Sequence, residues 1–199
     1  MPISMDELKQ LRKATGAGML DCKNALDESG GDLQAAITIL REKGIKVASK
    51  KADRNAEEGL VVAYIHPPGK LGVMVEINCE TDFVARTEEF QQFAKKVAMQ
   101  IAAYPPLVVS RENLSAAEIE AERNIYLTQM EGSGKPANII EKIIDGKMEK
   151  FYSESCLLDQ EWSDNPDIGT VRSALTDLIG RLRENIVINR FSRYFIGSE

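Results

Sequence analysis

Three places in the sequence carry residue types suited to covalent or phosphate chemistry, and each fails on context or spacing. His66 is the only histidine, which excludes a multi-histidine metal site. It falls in the turn His66-Pro67-Pro68-Gly69-Lys70, where a surface role is expected instead of that of a triad base. Gly132-Ser133-Gly134-Lys135 resembles a phosphate loop, but the Walker spacing requires a glycine where the chain has Gln129, and Pro136 stands where Ser or Thr would bind magnesium. Cys79 is next to Glu80, whose charge disfavours a thiolate, so it reads as a buried strand-end cysteine. The cysteines Cys22, Cys79 and Cys156 are odd in number and far apart, which fits neither a disulfide framework nor a zinc spacing. No catalytic residue, cofactor or metal is expected.

What remains is the run Asn78-Cys79-Glu80-Thr81-Asp82-Phe83-Val84-Ala85-Arg86. It sets a bulky apolar side chain beside two acids at the point where a strand pattern gives way to helix. Phe83 has two readings: a core residue, or a wedge on a rigid support that enters another protein.

The elements that must position this run follow from periodicity. Met5, Leu8 and Leu11 mark a first helix ending at Thr15-Gly16-Ala17-Gly18, and Met19, Cys22 and Leu26 mark a second that Gly30-Gly31 terminates. Asp32 suits an N-cap, with Leu33, Ala36, Ile37 and Leu40 following at helical spacing. The zone Arg41–Arg54 holds six basic residues against two acids, a local +4 in a chain of net charge -6. It reads either as a solvated helical linker or as a steering patch for an acidic surface.

The period then changes. Leu60–Ile65 and Leu71–Ile77, joined by the proline-rich turn, predict a β-hairpin. Thr87 is expected to cap a long helix with Phe90, Phe93, Ala94, Val97, Ala98 and Ile101 on one face, stopped by Pro105-Pro106. Ser115-Ala116-Ala117-Glu118 predicts a capping box for a helix to about Met130, and Pro136 opens another to about Tyr152. Cys156–Trp162 suggests an irregular strand. Val171, Ala174, Leu175, Leu178 and Leu182 give an amphipathic helix, and Asn185–Phe195 a last strand with Arg190 and Arg193 on opposite faces. The fold class is α+β: a three-helix bundle, then a small antiparallel sheet packed with helices.

Composition limits the partners. The chain of 199 residues is 43% hydrophobic and 28% charged, enough for an ordinary domain and a small one. Its acidity argues against direct binding to nucleic acid. No apolar run approaches the roughly 20 residues that span a bilayer, and Met1-Pro2-Ile3-Ser4-Met5-Asp6-Glu7 lacks the basic-then-apolar pattern of a signal. A cytoplasmic protein with a protein partner is expected.

Two long stretches in fixed order make the chain resemble one family. Leu11-Arg12-Lys13-Ala14-Thr15-Gly16-Ala17-Gly18-Met19-Leu20-Asp21-Cys22-Lys23-Asn24-Ala25-Leu26, followed by the Asn78–Arg86 run, is similar to the paired signatures of bacterial translation elongation factor Ts, and the likeness continues into Glu184-Asn185-Ile186-Val187-Ile188-Asn189-Arg190-Phe191. The resemblance implies a ubiquitin-associated-like three-helix domain with a basic linker over residues 1–54 and an α+β core and dimerisation domain over 55–199. It implies guanine nucleotide exchange on elongation factor Tu, in its GDP-bound and nucleotide-free states, without covalent chemistry. Thr81, Asp82, Phe83 and Val84 then match the element that disturbs the partner's Mg²⁺ and phosphate site, and Arg12, Met19, Leu20 and Lys51 match partner-binding positions. Met19 is also placed toward the bundle core by its helical stripe.

Many members of that family have a core of two related halves, and this chain has room for one, so a homodimer is expected to complete the sheet through Asn185–Phe195. Ser192 stands where a related short form has cysteine, which excludes a disulfide lock there. Arg183 stands where glycine is usual before Glu-Asn. The competing class is an adaptor that uses its helical bundle to bind a peptide or ubiquitin-like fold, with Phe83 as ordinary core.

Overall fold

The computed structural model describes residues 4–131 and 133–197. Met1, Pro2 and Ile3 of the N-terminal stretch and Gly132 of the glycine-rich loop lie outside the described residues. The element order is α1 (Met5–Thr15), α2 (Met19–Glu28), α3 (Leu33–Lys51), β1 (Glu58–His66), β2 (Leu71–Cys79), α4 (Asp82–Ala85), α5 (Glu88–Ala103), α6 (Ala116–Met130), α7 (Ala137–Ser155), α8 (Val171–Leu182) and β3 (Ile186–Phe195). The strands form an antiparallel sheet in the order β1-β2-β3, an α+β architecture. Two compact units divide the chain. One takes the residues up to Leu60 with Ile77–Gln92 and Ser173–Val187; the other takes Val61–Glu76, Phe93–Arg172 and the chain from Ile188 on.

In the first unit, α1 starts at a capping box in which Ser4 and Glu7 satisfy each other's backbone amides, and it ends at Gly16, whose φ of 67° provides the left-handed cap. Asp32 caps α3 by accepting from the Ala35 amide at 2.9 Å. Leu8, Leu11, Cys22, Ala25, Leu26 and Ala36 form the buried core of α1–α3, with Leu33, Ile37 and Leu40 packed against it. The basic zone is helical through Lys51, continuous with α3. There α8 approaches at a glycine pair: a Cβ added to Gly180 would lie 3.0 Å from the Gly44 Cα. At the sheet, Gly59 has φ 144°, and a Cβ on it would meet the Ile77 carbonyl oxygen at 2.1 Å, so only glycine fits.

β2 alternates as a strand with one covered face must: Val73, Val75, Ile77 and Cys79 are buried, and Met74 is exposed. α5 buries Phe90, Phe93, Ala94, Val97, Ala98 and Ile101, the expected stripe. Thr87 accepts from the Phe90 amide at its start, and Ser115 and Glu118 form the expected capping box of α6. Pro136 is the N-cap of α7.

The second unit corrects one expectation. Cys156–Trp162 is no strand: Leu157–Asp159 is a turn of 3₁₀ helix, held by single bridges from Cys156 to Val108 and from Glu161 to Thr170. Side-chain amides do the work of a ladder. Gln100, buried, donates to Gln160 Oε1 and the Glu161 carbonyl, both at 3.1 Å, and accepts from the Ser163 amide and hydroxyl. Gln160 donates in turn to the carbonyls of Tyr104 and Glu154. Each polar group is met, so the segment needs no neighbouring strand.

Candidate functional site

The segment from Cys79 to Thr87 turns strand into helix through a dense set of local bonds. Thr81 is the N-cap of α4, extended at φ -134° and ψ 153°, with its hydroxyl oxygen accepting from the Val84 amide. The Cys79 thiol donates to the Thr81 carbonyl at 3.1 Å. The Thr87 hydroxyl donates to the Val84 carbonyl at 2.7 Å, closing the short helix onto the start of α5. Val84 and Ala85 are buried and anchor it.

The opposite side of this helix turns outward. Phe83 is 78% exposed, which removes the core reading. A single turn of helix whose buried face is Val84 and Ala85 presents Phe83 away from that face. Asp82 is half-exposed and pairs with Arg86 one turn on, at 2.8 Å; an exposed pair of this kind contributes only about 0.3–0.5 kcal/mol and yields easily to a competing cation.

Two carboxylates hold the segment from behind. Glu184 accepts from the Thr81 amide at 3.0 Å and from its hydroxyl at 2.6 Å. Glu80 accepts from the Asn185 amide at 2.6 Å, and also faces Arg54 at 3.2 Å and Lys51 at 3.6 Å. The Asn185 amide bond, then the Arg54 and Lys51 charges, hold the Glu80 carboxyl below its usual range against the opposing effect of burial. Asn185 is itself buried, just ahead of β3, and its side chain donates to the carbonyls of Ala52 and Arg54. Cys79 has its thiol pushed up to about 11, first by burial and then by the charge of Glu184. The expected direction is right, but the causes are burial and Glu184, where the sequence pointed to Glu80.

The other positions expected to matter fall on α1, α2 and α3 of the same unit. Arg12 is exposed near the C-terminal end of α1. Met19 and Leu20, in the first turn of α2, are 42% and 70% exposed, so Met19 does not sit in the bundle core. Lys51, whose side chain is only 15% exposed, is engaged with Glu80, the residue before Thr81. Glu80, Glu184 and Asn185 were not singled out as site residues from the sequence. The traces were that Glu80 lay within the Asn78–Arg86 run and the Glu184-Asn185 pair within another stretch similar to the family.

His66 is exposed, with its Nδ1 2.9 Å from the Tyr64 hydroxyl. Among the described residues no group of three or more His, Cys, Asp or Glu side chains is placed to hold a metal ion, and no helix is long and apolar enough to cross a membrane. The segment presents an aromatic ring and a carboxylate on a braced single turn of helix.

A family model described as elongation factor TS matches residues 19–170. The chain is 54% identical over 192 residues to an elongation factor Ts of Caldanaerobacter subterraneus subsp. tengcongensis, covering 96% of each. It is 50% identical over 198 residues to that of Herpetosiphon aurantiacus, covering the full length of both, and 54% identical over 195 residues to that of Carboxydothermus hydrogenoformans, covering 98% of this chain and 89% of the relative.

Proposed function

The chain belongs to the elongation factor Ts family, and from that premise we propose that it is a guanine nucleotide exchange factor for elongation factor Tu in translation elongation. It binds the GDP-bound partner, inserts Asp82 and Phe83, disturbs the site that holds Mg²⁺ and the GDP phosphates, and releases GDP so that GTP can enter. The observation that carries this reading is Phe83, 78% exposed on a helix anchored by Val84. An aromatic left in water at the tip of a braced element contributes little to its own fold and offers its area to a partner.

The division of labour within Thr81–Val84 follows from burial. Phe83 supplies bulk and apolar area, and Asp82 competes for cationic groups of the partner. Thr81 and Val84 fix the angle at which they arrive. Much of the affinity for GDP depends on the ion that neutralises its phosphates, so a small shift of the groups holding Mg²⁺ accelerates release. Linkage requires that GDP weaken binding of the factor by the ratio in which the factor weakens binding of GDP, so incoming nucleotide drives the factor off. Exchange is accelerated with no covalent bond made or broken.

Arg12, Met19 and Leu20 form the second grip, on the ubiquitin-associated-like bundle that occupies residues 1–54 with its basic linker, while 55–199 form the core and dimerisation domain. Lys51 contributes by holding Glu80 from within the chain. A homodimer through β3 is part of the same reading, supported by the edge position of that strand and the exposure of Tyr194, Phe195 and Ile196. The place of action is the cytoplasm, where its partner works on the ribosome.

The deciding experiment is release of labelled GDP from elongation factor Tu, comparing the natural chain with Phe83→Ala and Asp82→Ala. Both variants are expected to fold and to exchange more slowly. Natural rates in both would sink the wedge.

A further inference from the structure

Three consecutive residues between α8 and β3 each hold a different element. The Arg183 guanidinium pairs with Asp21 of α2 at 2.8 Å. The Glu184 carboxylate takes the amide and hydroxyl of Thr81 at the head of α4. Asn185 ties down the chain leaving α3 through the Ala52 and Arg54 carbonyls, while its own amide is held by Glu80. Of the three, Glu184 alone reaches the helix that carries Phe83.

We propose that Glu184 is a positioning residue for nucleotide exchange: by accepting both polar hydrogens of Thr81, it fixes the direction in which α4 presents Phe83. The inference rests on the reading of Phe83 as the displacing residue. A single turn of helix makes almost no hydrogen bonds of its own and has no independent stability; the buried Val84 and Ala85 fix which face turns outward, and the grips at its ends fix the direction in which that face is held. The trailing end is covered by Thr87. At the leading end, the Thr81 amide and hydroxyl both go to Glu184, and charge-assisted bonds are the stronger and more directional kind. Without Glu184 the head of α4 keeps the Cys79 thiol on the Thr81 carbonyl and the packing of Val84 and Ala85, and the direction of Phe83 loosens. Small misplacements of a working group are costly in rate even where binding persists, and Arg12, Met19 and Leu20, which belong to other helices, leave docking intact.

The test is the rate of labelled GDP release from elongation factor Tu, with the concentration of Tu·GDP varied to separate kcat from KM. It uses the full chain carrying Glu184→Ala, Glu184→Gln, Phe83→Ala and the double variant. Glu184→Ala is expected to lower kcat about tenfold with KM within about twofold, and in the Phe83→Ala background to lower it by less than about twofold, since a residue that acts through Phe83 has nothing left to position. Glu184→Gln keeps one acceptor for Thr81 and should recover part of the loss; should Glu184→Ala not fold, this variant carries the test in both backgrounds. Asp32→Ala, which removes an unrelated cap, controls for lost stability and should keep the natural kcat.

An equal loss from Glu184→Ala in both backgrounds overturns the proposal, because it marks a general structural role. A natural kcat in Glu184→Ala while Phe83→Ala is slow overturns the positioning role and leaves the wedge standing. A natural rate in Phe83→Ala removes the wedge and this inference together.

Discussion

Glu80 and Glu184 hold each other's neighbours. The Glu80 carboxylate accepts the amide of Asn185 at 2.6 Å, and the Glu184 carboxylate accepts the amide of Thr81 at 3.0 Å. The two bonds cross between the strand-to-helix turn after β2 and the helix-to-strand turn before β3, so neither turn can shift without breaking a bond of the other. Each carboxylate has its own donors: Lys51, Arg54 and Asn185 for Glu80, Thr81 for Glu184.

The two phenylalanines on either side of Thr87 should behave oppositely. Phe90 is fully buried, and Phe90→Ala is expected to cost about 3–5 kcal/mol. Phe83→Ala should change stability by no more than about 0.5 kcal/mol, read from urea unfolding midpoints, while exchange falls. A large loss of stability from Phe83→Ala would return Phe83 to the core.

The Glu80 bonds give the fold a specific acid sensitivity. Its carboxyl is depressed in the folded chain, so its contribution is fully present above the unfolded value of roughly 4.3 and is lost as pH falls through the lower folded value. Glu80→Gln should therefore be less stable than the natural chain at neutral pH, with the gap narrowing as pH drops below about 4. Glu7, Glu112, Glu118 and Glu149 are also depressed, but they are common to both proteins and cancel in the difference. A gap that stays constant across an unfolding series in pH would contradict the assignment.

Arg183 has φ 60°, the one left-handed residue other than glycine among the described positions. This accounts for a glycine being usual there: the residue caps α8, its amide donating to the Ile179 carbonyl at 2.9 Å. Arg183→Gly relieves the backbone and loses the exposed pair with Asp21, two effects of about 1 kcal/mol or less each, so thermal unfolding should move little. Arg183→Val has no such relief and should cost about 1–3 kcal/mol. Equal unfolding temperatures for the two variants would rule out the strain argument.

The cysteines should be inert in the native chain. All three are buried, and the thiols of Cys79 and Cys156 are pushed up to about 11, chiefly by burial. A thiol reagent at pH 8 is expected to label none of them until denaturant is added, after which all three react. Prompt labelling of Cys79 in the native protein would mean that the Thr81 turn opens on its own.

What the sequence revealed and what it hid divide along sequence distance. Asp32, Ser115 and Thr87 announce helices because a cap is a bond over three residues. The stripe from Phe90 to Ile101 and the alternation from Val73 to Cys79 likewise carry their own periods. Cys156–Trp162 misled because its apolar, β-prone letters are paired with the amides of Gln100 and Gln160, and nothing local says that a side chain will stand in for a strand. The crossed pair of carboxylates was invisible for the same reason: Glu80 and Glu184 look like any surface acids until the turn before β3 is laid against the turn after β2. Even within Thr81–Val84, the pattern did not say which side chain faces out; the packing of Val84 decides it.

Thr81 and Glu184 are 103 residues apart in the chain, and this has a consequence for how the protein is made. At a synthesis rate of roughly 5–20 residues per second, the ribosome adds the brace about 5–20 seconds after it has added the helix that the brace aligns. During that interval the nascent chain carries Phe83 without the residue proposed to aim it. On the proposed reading, the grip through Arg12, Met19 and Leu20 is therefore made early in synthesis and the aim of Phe83 late, so a chain that stops short of Glu184 would keep the first and lack the second.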